Sequence, residues 1–261
     1  MKMKHLIVLL CVFFLPAFGC VNIPDTSSVE YRSQKFDVRP TYSLCHPELV
    51  ASNHLSASLA TNGLNPTGFS VLNWNIQKEN QAGWESDLVR FSENADILII
   101  QEAFLTEKLR GLLNPRTYYW QLVTAFEYQD VKTGVLTAAT AAPDFICPQR
   151  ATEPLIRVPK TILITRYPLA NTHHSLMIAN IHMINFAPDT TAYRDQAQQM
   201  MGILQQHQGP MILSGDFNIW NGQRLAIIES VTGRLGLKLA EFKTDLATTS
   251  AMPWIAFTTV D

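Results

Sequence analysis

Short apolar runs that end in polar side chains recur along the chain from residue 69 onwards. The clearest of them are FSVLNWNI, ADILIIQEAF, WQLVTAF, KTILITRYPL, SLMIANIH and PMILSGDFN. Runs of this length, bounded by Gly, Pro, Asn and Asp, are typical of buried β-strands. The pattern therefore predicts a sheet-containing domain over residues 69–261.

Segments with helical spacing separate several of these runs. In GWESDLVRFSENAD the apolar residues Trp84, Leu88 and Phe91 recur at helical intervals, and a short helix is expected over residues 107–113. Two more helices are predicted in TTAYRDQAQQMMGILQQHQG and RLAIIESVTGRLG. Because strands alternate with helices and some strands are adjacent, the pattern predicts a layered α/β (α+β) domain.

The composition is that of a globular domain with a sizeable core. Of the 261 residues, 47% are hydrophobic and 16% are charged, a balance that excludes disordered and fibrous classes. The formal net charge of -2 gives no basic footprint, whereas proteins that hold nucleic acid mainly through phosphate contacts are usually more positive. A nuclease is not excluded, because a bound metal ion can supply local positive charge.

The first 20 residues, MKMKHLIVLLCVFFLPAFGC, resemble an export signal. A basic start precedes an apolar run that is too short to span a bilayer comfortably, and small residues follow. The ending from Ala17 to Cys20 is similar to a bacterial lipobox, although Ala17 stands where Leu is usual. Residues 1–20 are thus expected to be a signal peptide of lipoprotein type; an ordinary signal, an uncleaved anchor and a misassigned start are alternatives. The expected location is the bacterial cell envelope, periplasm-facing and lipid-anchored, with the cytoplasm as the alternative.

Residues 21–68 contain scattered Pro, Ser, Thr and Asn with little periodicity, which predicts a tether and an irregular arm. Beyond the signal, Cys45 and Cys147 remain. They either form a disulfide in an exported domain or stay as two buried thiols, and the sequence leaves both open. Neither has a second Cys or a His at zinc-site spacing, so zinc is disfavoured.

Polar residues with ligand or catalytic chemistry stand at the ends of the predicted strands. They are Asn75, Glu102, Asn180, His182, Asp216 and Asn218. Burying any of these groups unpaired is costly, a carboxylate most of all, so a strand end that opens onto a cleft is the favourable place for them. Each residue alone is ordinary for a turn or a structural role. Together, carboxylates, a histidine and amides suit a hard divalent cation bound beside a phosphate.

The ordered segments WNIQK, QEA, NIH and SGDFN resemble the motifs of the endonuclease/exonuclease/phosphatase (DNase I-like) superfamily. The resemblance covers residues 69–261, and VLNWNIQKEN, EPLIRVPKTILITRYPL and NIHMINF are similar to segments of its YafD-like bacterial group. It implies a four-layer αββα sandwich of two mixed sheets. The motifs are specific for the superfamily and leave the substrate open.

The resemblance also implies a role for five of the strand-end residues. Glu102 corresponds to the principal Mg2+ ligand, and Asn75 to the Asn that helps to hold metal or phosphate. His182 corresponds to the catalytic residue that contacts the phosphate and stabilises charge at phosphorus. Asp216 corresponds to the residue that orients or deprotonates the attacking water, and Asn218 to the one that holds it. Mg2+ is the expected cofactor, with Mn2+ as an alternative.

Four further residues are candidate substrate contacts. Asn180 belongs to the NIH segment, and Lys78, Arg157 and Lys160 are candidate phosphate contacts. The alternative for each cation is a solvated or ion-paired position on the surface.

The sequence departs from the family pattern near its C-terminus. Asp261 resembles the first residue of a motif in which an Asp precedes an apolar strand, which makes it a further candidate metal ligand, and no Ser-Asp-His occurs in the 261 residues. The expectation is a sandwich that is incomplete at the C-terminus, with exposed sheet edges. Such a chain is expected to be weakly active or inactive.

The predicted function is a metal-dependent phosphoesterase that hydrolyses a phosphodiester by in-line attack of an activated water. Nucleic acid is the preferred substrate; a phospholipid or sphingolipid head group and a phosphomonoester are alternatives. A prediction of another class is a non-catalytic, lipid-anchored binding domain that kept the fold. The protein is expected to be monomeric and to associate with the membrane through its N-terminus.

Overall fold

The computed structural model describes residues 21–25, 27–31, 34–38, 63–114, 118–240 and 255–258. The expected signal peptide, Cys45 and Asp261 lie outside the described residues, so the predictions for them stay predictions. Cys147 is buried and disulfide-bonded, so the thiol alternative does not apply to it. Within the described part of the chain, no helix has the length and apolar character needed to cross a membrane.

The first sheet contains seven strands. In chain order they are β1 (Val21–Asn22), β2 (Ser27–Tyr31), β3 (Gln34–Val38), β4 (Val71–Asn75), β5 (Ile97–Phe104), β6 (Tyr119–Tyr128) and β7 (Val131–Ala139). The spatial order is β3-β2-β6-β7-β5-β4, with β1 also paired to β6. Only β4 and β5 run parallel, and the other pairs are antiparallel.

The second sheet contains six strands. They are β8 (Phe145–Thr152), β9 (Pro159–Pro168), β10 (Ser175–His182), β11 (Met211–Asp216), β12 (Lys238–Leu239) and β13 (Ile255–Thr258). Their spatial order is β12-β13-β11-β10-β9-β8, and β10 with β11 is the single parallel pair. Both sheets are therefore mixed, as the family resemblance implies.

Four helices cover the outer faces of the sheets in the described part of the chain. They are α1 (Trp84–Ser92), α2 (Glu107–Leu113), α3 (Thr191–Leu204) and α4 (Gly222–Arg234). Leu88 of α1 shares an apolar cluster with Ile100 of the first sheet. Tyr193 of α3 shares another with Leu213 of the second sheet.

The two sheets pack directly against each other between these helical layers. Ile99 and Ile178 belong to one inter-sheet cluster, and Val135 and Leu163 belong to another. Burying each such side chain contributes roughly 1.5–3 kcal/mol, which makes the stacked inner faces a main source of stability. The predicted four-layer αββα sandwich is confirmed. Strands β10 and β11 lie across β4 and β5, so the carboxyl ends of both parallel pairs open toward the same space.

The segment predicted to be an irregular arm differs from the prediction at its beginning, because β1, β2 and β3 join the first sheet. Val29 is buried, and the Ser28 hydroxyl donates to Thr124 at 3.0 Å. Glu30 forms ion pairs with Arg110 and Lys132. The short sequence of β2 carries little periodicity of its own. The free edge of β6 supplies the backbone partners that make it a strand.

The three apolar residues that indicated α1 are not equally buried. Trp84 and Leu88 of α1 are buried as the helical spacing predicts, but Phe91 is 51% exposed. Its ring makes an edge contact with Trp74 and lies under the Arg90 guanidinium. The three positions lie within about 60° of one another around the helix, so helical spacing alone does not decide which of them the core covers.

Candidate active site

A backbone irregularity at the end of β5 directs Glu102 into the site. The pairing register with β7 shifts between Ile100 and Ala103, and Glu102 itself has φ 50°. A non-glycine residue in this left-handed region costs about 1–2 kcal/mol. Such a bulge turns a side chain away from the face that regular alternation would give it, and bulges are frequent beside active sites.

A left-handed turn after β4 supplies the partner of Glu102. Gln77, Lys78 and Glu79 all have positive φ, at 50°, 54° and 63°. The turn is held by the Gln77 N–H, which donates to the Asn75 carboxamide oxygen at 2.9 Å. The Lys78 ammonium donates to the Glu102 carboxylate and forms an ion pair with it.

The second sheet supplies its groups from regular strands. His182 and Asp216 are direct register partners at the ends of β10 and β11. Gly215, which precedes Asp216, has φ 146°, and a Cβ there would stand 2.0 Å from the Ile181 carbonyl oxygen. The glycine of the SGDFN segment is therefore required for the close approach of the two strands that sets His182 beside Asp216.

Hydrogen bonds fix the Asp216 carboxylate. The backbone N–H of Asn218 donates to Oδ1 at 3.0 Å, and Asn75 Nδ2 donates to Oδ2 at 3.2 Å. Asn218 is itself held, because its side-chain amide donates to the Met183 carbonyl at 2.9 Å. Asn75 thus links the first sheet to the carboxylate of the second.

The predicted residues converge around His182. Its Nε2 lies 3.9 Å from the Glu102 carboxylate and 3.6 Å from that of Asp216. Lys160 Nζ lies 2.7 Å from the same nitrogen. Because a protonated lysine can only donate, His182 then accepts at Nε2. All four line a cavity of about 530 Å³ together with Asn75, Lys78 and Asn218.

Burial sets the charge state of the histidine and its lysine neighbour. It lowers the pKa of His182 well below the ordinary value, and the cations Lys160 and Lys78 lower that pKa further. The imidazole is therefore neutral near pH 7. Burial also lowers the pKa of Lys160, while the Glu102 carboxylate and other nearby carboxylates oppose that shift.

Burial has the opposite effect on the carboxylate of Asp216. It raises the pKa of this group above its ordinary value, while the Asn218 N–H, the Lys160 charge and the Asn75 amide oppose the shift. A raised carboxyl pKa makes the group a better proton acceptor while it is ionised, which is a property expected of a general base.

The oxygen donors of the site suit a hard divalent cation. Glu102 and Asp216 approach the same imidazole, and Asn75, whose carboxamide oxygen also accepts from the Gln77 N–H, lines the same cavity. No group of three or more His, Cys, Asp and Glu side chains with metal-binding geometry occurs among the described residues. Mg2+ is nonetheless commonly held by one or two carboxylates with several waters. The donor set therefore fits Mg2+ bound mainly through Glu102.

Two predicted residues lie away from the cavity. Asn180 is fully buried between the sheets, where its amide donates to the Leu136 carbonyl at 2.8 Å and its oxygen accepts from Gln101 at 2.8 Å. It joins the sheets and does not reach a substrate. Arg157 is exposed on the loop after β8 and is not part of the cavity wall.

Sequence reasoning missed Arg224, which holds the back of the site. This α4 residue is 1% exposed, and its guanidinium donates to the carbonyls of Ile184, Asn218 and Asn185 at 2.7, 3.0 and 2.8 Å. It therefore clamps the loops that follow His182 and Asp216. The one available signal was an Arg on the otherwise apolar helix face that carries Ile227 and Ile228.

Comparisons with known proteins match most of this domain. A sequence model of the Endonuclease/Exonuclease/phosphatase family matches residues 72–260. A UPF0294 protein of Yersinia enterocolitica is 37% identical over 175 residues, which cover 67% of each chain. One of Vibrio parahaemolyticus is 34% identical over 176 residues, covering 67% of this chain and 62% of that one. The match thus spans about two thirds or less of these relatives.

Solved structures show the same fold at low identity. The human Nocturnin catalytic domain with bound sulfate anion has a TM-score of 0.57 and 16% identity, covering 77% of this chain and 83% of that one. ANGEL2, a 2',3'-cyclic phosphatase in complex with adenosine-2',3'-vanadate, has a TM-score of 0.53 and 14% identity, with coverage of 76% and 84%.

Proposed function

The chain belongs to the endonuclease/exonuclease/phosphatase family, and we propose that it is a phosphoesterase that hydrolyses a phosphodiester with the help of a divalent cation. The main support for this proposal is that the carboxylates of Glu102 and Asp216 lie 3.9 and 3.6 Å from His182 Nε2. Two lysine side chains line the same cavity. Both carboxylates and both lysines line this one cavity, which is where we place the phosphate group.

In this proposal Asp216 activates the attacking water. Its carboxylate is fixed by Asn75 and by the Asn218 backbone, so its orientation costs no reorganisation during the reaction. Burial raises the pKa of this carboxyl, which increases its strength as a proton acceptor. General-base assistance of this kind contributes about 10²–10⁴-fold.

Lys160 and His182 receive the phosphate. Lys160 donates charge-assisted hydrogen bonds to a non-bridging oxygen, which are roughly twice as strong as neutral ones. The neutral imidazole, 2.7 Å from that ammonium, keeps the lysine directed into the cavity. Lys78, released from Glu102, provides a second positive charge for the same group.

Glu102 is the residue that would hold the cation, with Asn75 as an additional oxygen donor. Members of this family generally depend on a divalent metal ion. When bound, such an ion neutralises a phosphate oxygen and stabilises the leaving oxygen. Mg2+ is proposed because the donors are oxygens, and Mn2+ is the alternative.

The proposed substrate is a nucleic-acid phosphodiester. Nocturnin with bound sulfate and the 2',3'-cyclic phosphatase with an adenosine vanadate are neighbours in fold, and their ligands are a phosphate-like anion and a nucleotide analogue. These likenesses support a phosphate ester in general. A lipid head group and a phosphomonoester are the alternatives that an assay must separate.

The test measures Mg2+ binding by calorimetry and hydrolysis of single-stranded DNA, a phosphocholine lipid and an inositol phosphate in parallel, at high enzyme concentration. We expect Mg2+-dependent release from DNA, and loss of both metal binding and hydrolysis in Glu102→Ala. Glu107→Ala, which removes a carboxylate that is 96% exposed, is the matched control. Metal binding without hydrolysis of any substrate would support a non-catalytic domain. Absence of both signals in the unmodified chain would overturn the proposal.

A further inference from the structure

One wall of the active-site cavity is apolar and partly exposed to solvent. Ile156 and Phe186 line the same cavity as Lys160, His182 and Asp216. They are 48% and 50% exposed, although large apolar side chains of these types are usually buried. Apolar surface left uncovered beside a few convergent polar groups is the usual make-up of a ligand site.

Two further exposed apolar residues are linked to this wall by hydrogen bonds, and we define Leu155, Ile156, Phe186 and Trp220 together as the apolar rim. Leu155 and Trp220 are 61% and 52% exposed. The Leu155 N–H donates to the Phe186 carbonyl at 3.4 Å, and Trp220 Nε1 donates to the Asn185 carboxamide at 3.1 Å. Single exposed apolar side chains are normal, but four of them on linked loops beside a polar cavity are the composition expected of an interaction site.

Buried polar groups hold the loops of the apolar rim in place. The Asn185 N–H donates to the buried Glu153 carboxylate at 2.8 Å. The Arg224 guanidinium donates to the Asn185 carbonyl at 2.8 Å and lies 4.3 Å from the centre of the Trp220 ring. The backbone beneath Phe186 is therefore fixed from two sides. A pre-positioned ring loses little freedom when it binds a ligand.

The charge of the cavity limits what can occupy it. Its lining contains two basic side chains that reach the phosphate position, Lys78 and Lys160, and both already face Glu102 or His182. That is enough for one phosphate and gives no row of cations for a long polyanionic backbone. A cavity of about 530 Å³ is also in the range of small-ligand sites.

On the premise of the proposed function, we propose that Ile156 and Phe186 form a subsite for a planar ring attached to the phosphate, of the nucleobase class. Every nucleobase has an apolar face that stacks on an aromatic ring. In a duplex the bases are stacked on one another, so the subsite takes an unpaired base at a strand end or in a single nucleotide. The selectivity for substrates then comes from the base next to the bound phosphate and not from contacts along a nucleic-acid chain.

The test compares the binding of three ligands by calorimetry in Mg2+ buffer: inorganic phosphate, ribose 5-phosphate and adenosine monophosphate. The last two differ only in the base. We expect adenosine monophosphate to bind about 5- to 100-fold more tightly than ribose 5-phosphate, in line with the stacking of one base on one aromatic ring. Phe186→Ala should reduce this ratio to near 1 without weakening ribose 5-phosphate. Phe186→Trp should keep it.

Phe91→Ala is the matched control, because Phe91 is 51% exposed and lies on α1, away from the cavity wall. It should leave the ratio unchanged, and thermal melting should show that both alanine variants fold. If phosphate and both esters bind equally in the unmodified chain, the ring subsite is overturned and the phosphoesterase proposal stands. If no phosphate ligand binds, the ring subsite is overturned as well, and the Mg2+-binding and hydrolysis assays described above decide the phosphoesterase proposal separately.

Discussion

The two sheets deliver their parts of the site in different ways. In the second sheet, His182 and Asp216 end regular parallel strands, and their side chains are 7% and 5% exposed. In the first sheet, Glu102 lies on a bulge with positive φ, and Lys78 lies in a left-handed turn. Their side chains are 21% and 36% exposed.

This difference separates a fixed half of the site from a strained half. In the fixed half, strand register, Gly215 and the Arg224 clamp set the positions of the groups through buried hydrogen bonds, and of its predicted residues only Asn218 has a positive φ, at 50°. In the strained half, the backbone adopts conformations that its side chains disfavour, and an ion pair holds the result. Residues in such conformations persist only when the surrounding structure determines them, and they concentrate at functional sites.

The largest expected effect comes from the carboxylate of the fixed half. Asp216→Asn keeps the shape and the hydrogen bond from Asn218 but removes the proton acceptor and the acceptor of the Asn75 amide. Hydrolysis should fall about 10²–10⁴-fold, while the free energy of unfolding should change by no more than about 1.5 kcal/mol, the contribution of one hydrogen bond. Initial rates and urea unfolding measure the two quantities.

Asp130→Asn is the control for that substitution, because Asp130 is exposed in a turn between β6 and β7. It should change neither quantity. An Asp216→Asn protein with nearly full activity would show that the fixed half does not carry the base.

The next effect should come from the clamp behind the fixed half. Arg224→Met leaves three backbone carbonyls without their donor, at about 1 kcal/mol each. The free energy of unfolding should therefore drop by about 3 kcal/mol, as measured by urea denaturation. Arg224→Lys should recover part of this loss, because an ammonium group can still donate to two or three of the carbonyls.

Arg90→Met provides the comparison for the clamp. Arg90 forms an exposed ion pair with Asp87 at 3.0 Å, with side chains 67% and 44% exposed, and such pairs contribute roughly 0–1 kcal/mol. Equal losses in the two methionine variants would mean that the buried guanidinium is not what secures the loops.

A smaller effect should reveal the strain of the other half. Glu102→Gly and Glu102→Ala remove the same carboxylate, but only glycine relieves the positive φ. The glycine variant should be the more stable of the two by about 1 kcal/mol. At Glu85 in α1 the order should reverse, because glycine in a helix costs up to about 1 kcal/mol relative to alanine. If alanine is better at both positions, the backbone at Glu102 is not strained.

The sequence predicts the fixed half of the site better than the strained half. The ends of β10 and β11 were predictable, because apolar runs locate the strands and a parallel pair brings their carboxyl ends together. The direction of the Glu102 side chain was not predictable from the sequence. It depends on a bulge in β5, and that bulge forms only through pairing with β7, which lies farther along the chain. Asn180 looked equivalent to its neighbours in the sequence, yet long-range packing commits its amide to the partner sheet.

The Arg224 clamp and the strands β1 to β3 were unpredictable for a related reason. A buried Arg finds its carbonyl partners only when loops that are distant in sequence meet. A short polar strand such as β2 forms its backbone hydrogen bonds only when the edge of β6 is present. Local periodicity predicts the helices and the core strands. It does not predict which distant loops or strand edges meet.

The last expected effect is a pH dependence in the strained half, which solvent screening at the half-buried Glu79 reduces. Glu79 ends the left-handed turn, and burial raises its pKa to about 7, while the Thr106 hydroxyl and the Lys108 charge oppose the shift and Glu85 adds to it. The folded state therefore binds a proton more tightly than the unfolded state, whose carboxyl titrates near 4.5. Stability should be greatest below that value and should decrease as the pH rises through about 7.

Glu79→Gln removes the titrating group and keeps the contact with Thr106. Melting temperatures measured between pH 5 and pH 8 should fall less steeply for this variant than for the unmodified chain, whereas the exposed control Glu107→Gln should keep the original slope. Parallel slopes for all three proteins would show that the ionised carboxylate of Glu79 does not destabilise the folded protein at neutral pH. The strain in this half would then lie in the backbone alone, which the glycine comparison at Glu102 measures independently.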